Sequence, residues 1–292
     1  YCFWTLDDDG TKRTVAEIKA DAEKIAAGDT VTADKYTAWM NADHRFYVKW
    51  YDQGMYELEG GLAQGKYSTY EARIIGLNHD DKSDGSGKAG ITFQLVGLLK
   101  ANYRMGQSGV GSNWMRSEAR ANMNPDHLTE GVSVDGTDTN AVWAQVPFML
   151  QNSIETVRKR STSTMANYNA GVIATDDRLF SLSVPEVYTH ASYAPYTQLF
   201  TTTAREGNTY DYYQQFGYCA CVSMGNVNHG SIVNGDGSQW LRTVSNSSNN
   251  RYETVIKNGS TWDRPAYSSI SNESSSALQV YGRHSLSPAF CL

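Results

Sequence analysis

The spacing of apolar positions predicts a helix near the start of the chain. Four apolar residues recur at three- and four-residue intervals, as they do on one face of an α-helix: Val15, Ile18, Ala22 and Ile25. The preceding Thr14 and the following Glu17 have the types and spacing of a capping box, which marks a helix N-terminus. Gly28 suits the position just beyond the last turn. The sequence therefore predicts a helix bounded by Thr14 and Gly28.

An aromatic-rich stretch follows, and its composition favours half-buried strands over helices. Its members are Tyr36, Trp39, Phe46, Tyr47, Trp50, Tyr51 and Tyr56. The segment Tyr70–Leu77 predicts a further strand, with Ile74 and Ile75 at its centre. Because a linker is poor in aromatic residues, we expect residues 1–65 to pack on the remainder, 66–292, as an assembly or packing element.

Three later segments also carry secondary-structure signals. A helix is predicted from about Ser112, as N-cap, to Met123. A second helix is predicted to begin near Pro147, with Leu150, Ile154 and Val157 on one face and the basic run Arg158–Arg160 at its solvated C-terminal end. The segment Arg178–Ser183 alternates like a strand.

The segment His79–Gly87 is dense in acidic and turn-forming residues and predicts a loop. Three aspartates beside glycines suggest calcium, but Lys82 and Ile91 occupy positions where an EF-hand needs ligands. A turn stabilised by aspartate side chains is the alternative, and we assign no metal site.

Composition changes at about residue 238. Residues 238–292 contain 13 Ser and 5 Asn, with five basic against three acidic residues, whereas the whole chain has a net charge of −6. Apolar residues are nevertheless spread through this tail, including Trp240 and Leu241. Ordered strands joined by long polar loops therefore fit this segment better than disorder.

The overall composition excludes several classes of protein. The acidic balance argues against a nucleic-acid partner, which requires a dense basic face. No apolar run approaches the roughly 18 residues of a membrane span. Four cysteines are too few for a disulfide scaffold; Cys219 and Cys221 are interpreted as small buried side chains, and a bridge from either to Cys291 stays open. No sequence motif of a hydrolase, metalloprotease or P-loop enzyme occurs, so neither an enzyme nor a cofactor is expected.

Five strings together resemble one family: Tyr70–Phe93, Asn113–Arg120, Arg178–Val187, Trp240–Arg242 and Ser287–Leu292. They are similar to an uncharacterised domain family abundant in gut bacteria and their phages. That family is related to the C-type-lectin fold in its formylglycine-generating-enzyme-like form, which includes variable proteins of diversity-generating retroelements. The resemblance covers roughly residues 65–292.

The resemblance implies an α+β, C-type-lectin-like domain with little regular secondary structure in its C-terminal part, and a variable ligand-binding face at about residues 238–292. Its framework would be Trp240, Leu241, Val255, Gly259, Ala266, Val280 and Phe290. Its exposed candidates would be Asn249, Asn250, Arg251, Tyr252, Trp262, Asp263, Arg264, Tyr267, Tyr281, Arg283 and His284. These residue types also suit an adaptable binding surface on physical grounds, since Tyr, Trp and Arg supply contact area and Asn supplies hydrogen bonds.

The leading functional hypothesis is a non-enzymatic binding protein, either a phage-tail receptor-binding protein or a bacterial surface adhesin. The expected partner is a host-cell surface receptor, protein or glycan, with a virion or surface-anchoring partner and a homo-oligomer as further expectations. The expected location is extracellular, on a virion or a cell surface. Two alternatives stay open: an oxidase related to formylglycine-generating enzymes, which needs reactive cysteines, and a structural virion protein.

Overall fold

The computed structural model of the chain describes residues 1–51, 56–58, 62–64, 67–96, 99, 113–125, 142–162, 172–187, 206–215, 224–225, 238–244, 252–258, 261–267 and 286–292. For several of the shorter strands, and for most of the C-terminal sheet, the description covers the backbone alone.

Helices and antiparallel sheets share these residues, and the expected α+β class is confirmed. The helices are α1 (Val15–Ala26), α2 (Thr30–Asn41), α3 (Glu118–Met123), α4 (Phe148–Gln151), α5 (Val184–Val187) and α6 (Asp211–Gln215). The strands before residue 100 are β1 (Phe3–Leu6), β2 (Lys12–Thr14), β3 (Phe46–Tyr51), β4 (Tyr56–Leu58), β5 (Leu62–Gln64), β6 (Tyr67–Leu77) and β7 (Ile91–Leu95). The later strands are β8 (Val157–Thr162), β9 (Val172–Asp177), β10 (Leu179–Phe180), β11 (Met224–Gly225), β12 (Ser238–Val244), β13 (Tyr252–Asn258), β14 (Thr261–Tyr267) and β15 (Ala289–Cys291).

The main sheet has seven strands in the order β10-β15-β7-β6-β3-β1-β2, and its described pairings are antiparallel. It joins both ends of the chain, because β1 and β2 lie at one side while β15 lies between β7 and β10. Strand β3 pairs with β6 along its whole length, from Phe46 opposite Ala72 to Tyr51 opposite Tyr67. Residues 46–51 therefore pair with the strand that follows them, and the main sheet extends across residue 65, where the sequence predicts a boundary.

The two faces of the main sheet are covered differently. On one face Phe3, Phe46, Phe93 and Phe290 form a fully buried ring cluster, in which the Phe3 ring centroid lies 5.1 Å from that of Phe93. Buried residues of α1 and α2 belong to the same core. On the other face, Thr92 of β7 and Cys291 of β15 contact Asp80, which belongs to the polar cluster described below.

Local signals set the ends of α1 as predicted. The Glu17 carboxylate accepts a hydrogen bond from the backbone N–H of Thr14 at 2.7 Å. At the other end, Gly28 has φ +92°, and its N–H donates to the carbonyl of Ile25 while that of Asp29 donates to Lys24. This is the paired hydrogen-bond pattern of a Schellman motif, which requires the left-handed backbone that glycine tolerates.

The strand prediction for the aromatic stretch is correct for β3 but wrong for Tyr36 and Trp39, which lie in α2. Asp29 caps this helix by accepting from the N–H of Thr32 at 3.0 Å. Both aromatic side chains are buried, so packing against the core outweighs their strand preference.

The helix predicted from Pro147 is wrong beyond its first turn. Helix α4 ends at Gln151, and residues 157–162 form β8 instead. Backbone pairing with other segments replaces the helical hydrogen bonds: the N–H of Glu155 donates to Cys291 and that of Arg158 donates to Asp81. The basic run is consequently not a solvated helix end, because alternation along β8 leaves Arg158 exposed and buries Lys159.

Two other predicted elements are shorter than expected. Ser117, rather than Ser112, caps the helix that ends at Met123, and a separate 3-10 turn spans Trp114–Arg116. Within Arg178–Ser183 the strand β10 comprises two residues. The predicted N-cap Ser112 lies outside the described residues.

Candidate functional site

The candidate binding face lies partly on a four-stranded sheet in the order β11-β14-β13-β12. Tyr252 begins β13, and β14 carries Trp262, Asp263, Arg264 and Tyr267. The remaining candidates lie outside the described residues: Asn249, Asn250, Arg251, Tyr281, Arg283 and His284. So do the predicted framework residues Gly259 and Val280, and the cysteines Cys219 and Cys221.

An irregularity in this sheet coincides with two of the candidates. Val255 is opposite Pro265, whereas Lys257 is opposite Trp262, so Asp263 and Arg264 together face the single residue between Val255 and Lys257. Such a β-bulge redirects side chains and is common beside functional sites.

Strand β12 connects this sheet to the body of the protein. Leu241, Arg242 and Thr243 are buried, and the N–H of Arg242 donates to the carbonyl of Leu182 at 2.9 Å. The predicted framework positions Leu241 and Phe290 are thus buried. Trp240, Val255 and Ala266 lie on strands of this sheet for which the backbone alone is described.

Beneath β12 lies a group of polar side chains, which we name the buried charge cluster: Asp80, Lys159, Glu186, Tyr210 and Arg242. Each is at most 4% exposed. The Lys159 ammonium donates to Asp80 Oδ1 at 2.6 Å, to Glu186 Oε1 at 2.7 Å and to the Tyr210 hydroxyl at 3.1 Å. All three of its protons therefore have an acceptor.

Arg242 occupies the other side of Glu186. Its two terminal nitrogens donate to the two carboxylate oxygens, one of them at 2.9 Å, in the bidentate arrangement favoured by guanidinium and carboxylate groups. The same nitrogens donate to the carbonyls of Ser181 at 3.0 Å and Glu206 at 2.6 Å. Arg242 thus holds β12 against segments 181–186 and 206–210.

Asp80 is the other acceptor at the centre of the cluster. The Tyr210 hydroxyl donates to it at 2.9 Å and the Thr92 hydroxyl at 2.7 Å. The thiol of Cys291 lies 3.6 Å from Asp80 Oδ2. Cys291 is a free, buried thiol, so the disulfide considered from the sequence is not formed at this residue.

Ion pairing outweighs burial in this cluster. Burial alone would raise the pKa of Asp80, but the adjacent Lys159 ammonium holds it well below the ordinary value. Burial would likewise raise the pKa of Glu186, and Arg242 and Lys159 together lower it. For Lys159, burial acts to lower the pKa, and the two carboxylates raise it above the ordinary value. Asp80, Glu186 and Lys159 therefore stay ionised at neutral pH.

The remaining groups also hold their protons at neutral pH. Burial, reinforced by the Asp80 carboxylate, raises the pKa of Tyr210 and that of Cys291 well above their ordinary values. General acid–base catalysis needs a pKa near the working pH, and a reactive cysteine needs a lowered one. These groups thus keep fixed protonation states at neutral pH, and Cys291 has the environment of a structural cysteine.

A pocket of about 140 Å³ opens beside the cluster. His79 lies at its edge: its ring stacks on Tyr210 with centroids 3.9 Å apart, and its Nε2 is 3.0 Å from the carbonyl of Asn208. Gly207, with φ +113°, lies close to Glu186, where an added Cβ would be 2.9 Å from Oε1. The other lining residues are Asp80, Asp81, Lys88, Arg158, Lys159, Arg160, Glu186 and Glu206.

The aspartates of the loop after β6 have separate partners. Asp80 belongs to the buried charge cluster, Asp81 pairs with Lys88 at 2.6 Å, and Asp84 accepts from the N–H of Ser86 at 2.8 Å, which stabilises a turn. Within the part of the chain that the structure describes, no group of three or more His, Cys, Asp or Glu residues is arranged to hold a metal ion.

The sequence analysis did not identify the buried charge cluster, although four of the five strings behind the family resemblance contribute to it or to its surroundings. These contributions are Asp80, Glu186, Arg242 and Cys291.

No helix in the described ranges has the length and hydropathy needed to cross a bilayer. Comparison of the chain with protein-family models, curated proteins and solved structures gives no significant match.

Proposed function

We propose that this chain is a non-enzymatic binding protein of the C-type-lectin-like, retroelement-diversified kind, which acts as a phage-tail receptor-binding protein or a bacterial surface adhesin. Its recognition surface is the sheet β11–β14, and its partner is a receptor on a host cell. The protein works outside the cell, on a virion or a cell surface.

The observation that carries this proposal is the attachment of β12 through Arg242. A binding surface that tolerates changes in its side chains needs a base whose geometry does not depend on them. Arg242 supplies such a base, because it is fully buried and donates to Glu186, Ser181 and Glu206 on two other segments. The bulge at Asp263 and Arg264 further supports a surface shaped for contact.

The test is an alanine scan of the sheet measured in two ways. We expect single changes at Tyr252, Trp262, Arg264 and Tyr267 to alter the free energy of unfolding by no more than about 0.5 kcal/mol, as at ordinary surface sites. At least one of them should reduce binding to intact gut bacteria by about 2 kcal/mol or more, because hot spots favour Trp, Tyr and Arg.

Two controls make the scan decisive. Leu241→Ala, at a buried residue of the same sheet, should reduce stability, whereas Met149→Ala, at a residue 58% exposed on α4, should change neither stability nor cell binding. Loss of folding at every scanned position would identify a core segment instead of a recognition surface. Normal folding with unchanged cell binding throughout would remove this sheet from the proposal.

The proposed diversification has its own test in the neighbouring DNA. A reverse-transcriptase gene beside a near-copy of the 3′ end of the coding sequence, differing at adenines, is the expected finding. If the neighbouring DNA contained neither, the diversification part of the proposal would be wrong. The binding function would still be tested by the alanine scan.

A further inference from the structure

Helix α6 covers one half of the second face of the main sheet, whereas Trp4, Tyr47 and Lys49 on the other half are half-buried. Above β6 and β7, two tyrosines of α6 bond to buried side chains of these strands: the Tyr212 hydroxyl accepts from Arg73 at 2.7 Å, and the Tyr213 hydroxyl donates to Gln94 at 2.5 Å. Helix α6 therefore covers this half. No described element packs in the same way over β2, β1 and β3.

This other half presents aromatic rings and lysines, which we name the aromatic–lysine face: Tyr1, Trp4, Lys12, Tyr47, Lys49 and Tyr67. Alternation along the strands places Trp4, Tyr47 and Lys49 on the side opposite Phe3, Phe46 and Val48, which point into the core. Tyr1 precedes β1, and its ring adjoins this face because the Lys12 ammonium lies 4.3 Å from its centroid. Tyr1 is 65% exposed and Tyr67 is 49% exposed, although aromatic side chains are usually largely buried.

The rings form a platform that continues across strands. Trp4 and Tyr47 are direct partners in the sheet, and their rings stack with centroids 5.7 Å apart and an interplanar angle of 27°. Tyr67 pairs with Tyr51, four residues along β3 from Tyr47, which is about 13 Å at the usual rise of a strand. Tyr47 and Tyr67 are therefore far enough apart along the strands to contact different rings of one oligosaccharide.

Each end of the platform has a cation over an aromatic ring. The Lys12 ammonium lies 4.3 Å from the centroid of Tyr1 and 5.4 Å from that of Trp4, and the Lys49 ammonium lies 4.6 Å from that of Tyr67. The nearby acid Glu71 lies 3.4 Å from Arg45 Nε, which offsets its charge. The face as a whole is thus aromatic and positively charged on a chain whose net charge is −6.

We propose that the aromatic–lysine face is a binding site for an acidic oligosaccharide. The C–H groups on the apolar face of a sugar ring carry partial positive charge and pack against the negative face of Trp4 or Tyr47. A carboxylate on the sugar then pairs with the ammonium of Lys12 or Lys49. A second copy of the chain fits less well, because two-fold packing of this face on itself would bring lysines together. The site shares no residue with the C-terminal sheet, so the two proposals stand or fall separately.

The test uses sugars that differ in charge alone. Tetrasaccharides of galacturonate, mannuronate and hyaluronan are titrated calorimetrically into the full chain, each beside its carboxyl-reduced, uncharged counterpart. We expect at least one acidic tetrasaccharide to bind, at least tenfold more tightly than its counterpart, with an affinity that falls as salt is raised. Absence of binding by all three at millimolar concentration would overturn the proposal.

Variants then locate the site. The double variant Lys12→Gln/Lys49→Gln should reduce binding of the acidic sugar to the level of its uncharged counterpart, and Tyr1→Ala/Tyr67→Ala, at the two most exposed rings, should reduce it at least fivefold. Trp4→Ala should abolish it; Trp4→Phe, which keeps a ring, should retain most of it and guards against misfolding. Met149→Ala is the matched exposed control. Equal binding by all variants, or a concentration-dependent dimer that Trp4→Ala and Trp4→Phe both dissociate, would overturn the assignment.

Discussion

The Nζ atom of Lys159 lies 2.6 Å from Oδ1 of Asp80, and both side chains are 3% exposed. Asp80 follows a central strand of the main sheet, whereas Lys159 lies on β8, a strand of a separate two-stranded sheet. Their contact, extended by Glu186 to Arg242, joins the main sheet to the strand that carries the C-terminal sheet. The protein thus uses buried charges where two layers meet, and such charges are stabilising only while every partner is present.

Replacing Lys159 with methionine should reduce the free energy of unfolding by about 3–5 kcal/mol, because the change leaves Asp80 buried without its cation. Adding Asp80→Asn to this variant should recover part of the lost stability. Urea denaturation of the unchanged protein, the two single variants and the double variant measures the coupling energy between Lys159 and Asp80. Arg158→Met is the matched control: this neighbour is exposed, and it pairs at 3.1 Å with the surface carboxylate of Asp176. Arg158→Met should reduce the free energy of unfolding by less than about 1 kcal/mol. An equal reduction by Lys159→Met and Arg158→Met would contradict the prediction.

The cluster should also set the pH dependence of stability. Asp80 and Glu186 have lowered pKa values in the folded state, so their contribution is present above the ordinary carboxyl range, about pH 4, and is lost as pH falls below it. The pKa of Lys159 is raised, so its contribution is complete below about pH 10 and is lost above that. Urea unfolding at a series of pH values should therefore show a plateau with an acid decline. Glu186→Gln should make that decline shallower, and an unchanged slope would assign the decline to other carboxylates.

Gly207, a half-buried residue outside the regular elements, should be sensitive to substitution. An alanine there adopts an unfavourable backbone conformation and places its Cβ 2.9 Å from Glu186 Oε1. Gly10→Ala is a matched comparison, because Gly10 has φ +83° and an added Cβ would meet no atom within 4 Å. Both changes should reduce the free energy of unfolding by about 1 kcal/mol or more, because of backbone strain. Gly207→Ala should lower the melting temperature measurably more than Gly10→Ala. Equal costs would show that Glu186 moves aside freely.

Local chemistry was sufficient to predict some elements of this fold. The ends of α1 follow from Thr14, Glu17 and Gly28, whose interactions lie within a few residues, and Tyr70–Leu77 has an apolar centre that suits a buried strand. The predictions were wrong where distant partners decide. Trp39 is helical because it packs on the core, and residues 157–162 form a strand because they pair with other segments.

The candidate site shows the same division. Asp80 was interpreted as a loop residue and Lys159 as a solvated helix end, because each of them meets its partner only in the folded chain. One signal was present in the sequence. Lys159 lies two residues after the apolar Val157, so on a strand both side chains would point to the same, inward face. The assignment of that segment as a helix concealed it. The family resemblance, together with the residue types, suggests Tyr252, Trp262 and Arg264, and their role stays a prediction.

The last prediction concerns Phe3, which couples the two ends of the chain. Its ring is fully buried, with its centroid 5.6 Å from that of Phe290 on the C-terminal strand β15 and 5.8 Å from that of Phe46. Phe3→Ala should reduce the free energy of unfolding by about 3–5 kcal/mol, as for other buried aromatic residues. Leu6→Ala is the control on the same strand: this side chain is 44% exposed, and its loss should be within about 0.5 kcal/mol. Because the ring contacts both ends of the chain, Phe3→Ala should also speed amide hydrogen exchange in β15. If protection were lost in residues 1–51 alone, the N-terminal region would be a separately stable unit, and the coupling of the two ends through this ring would be refuted.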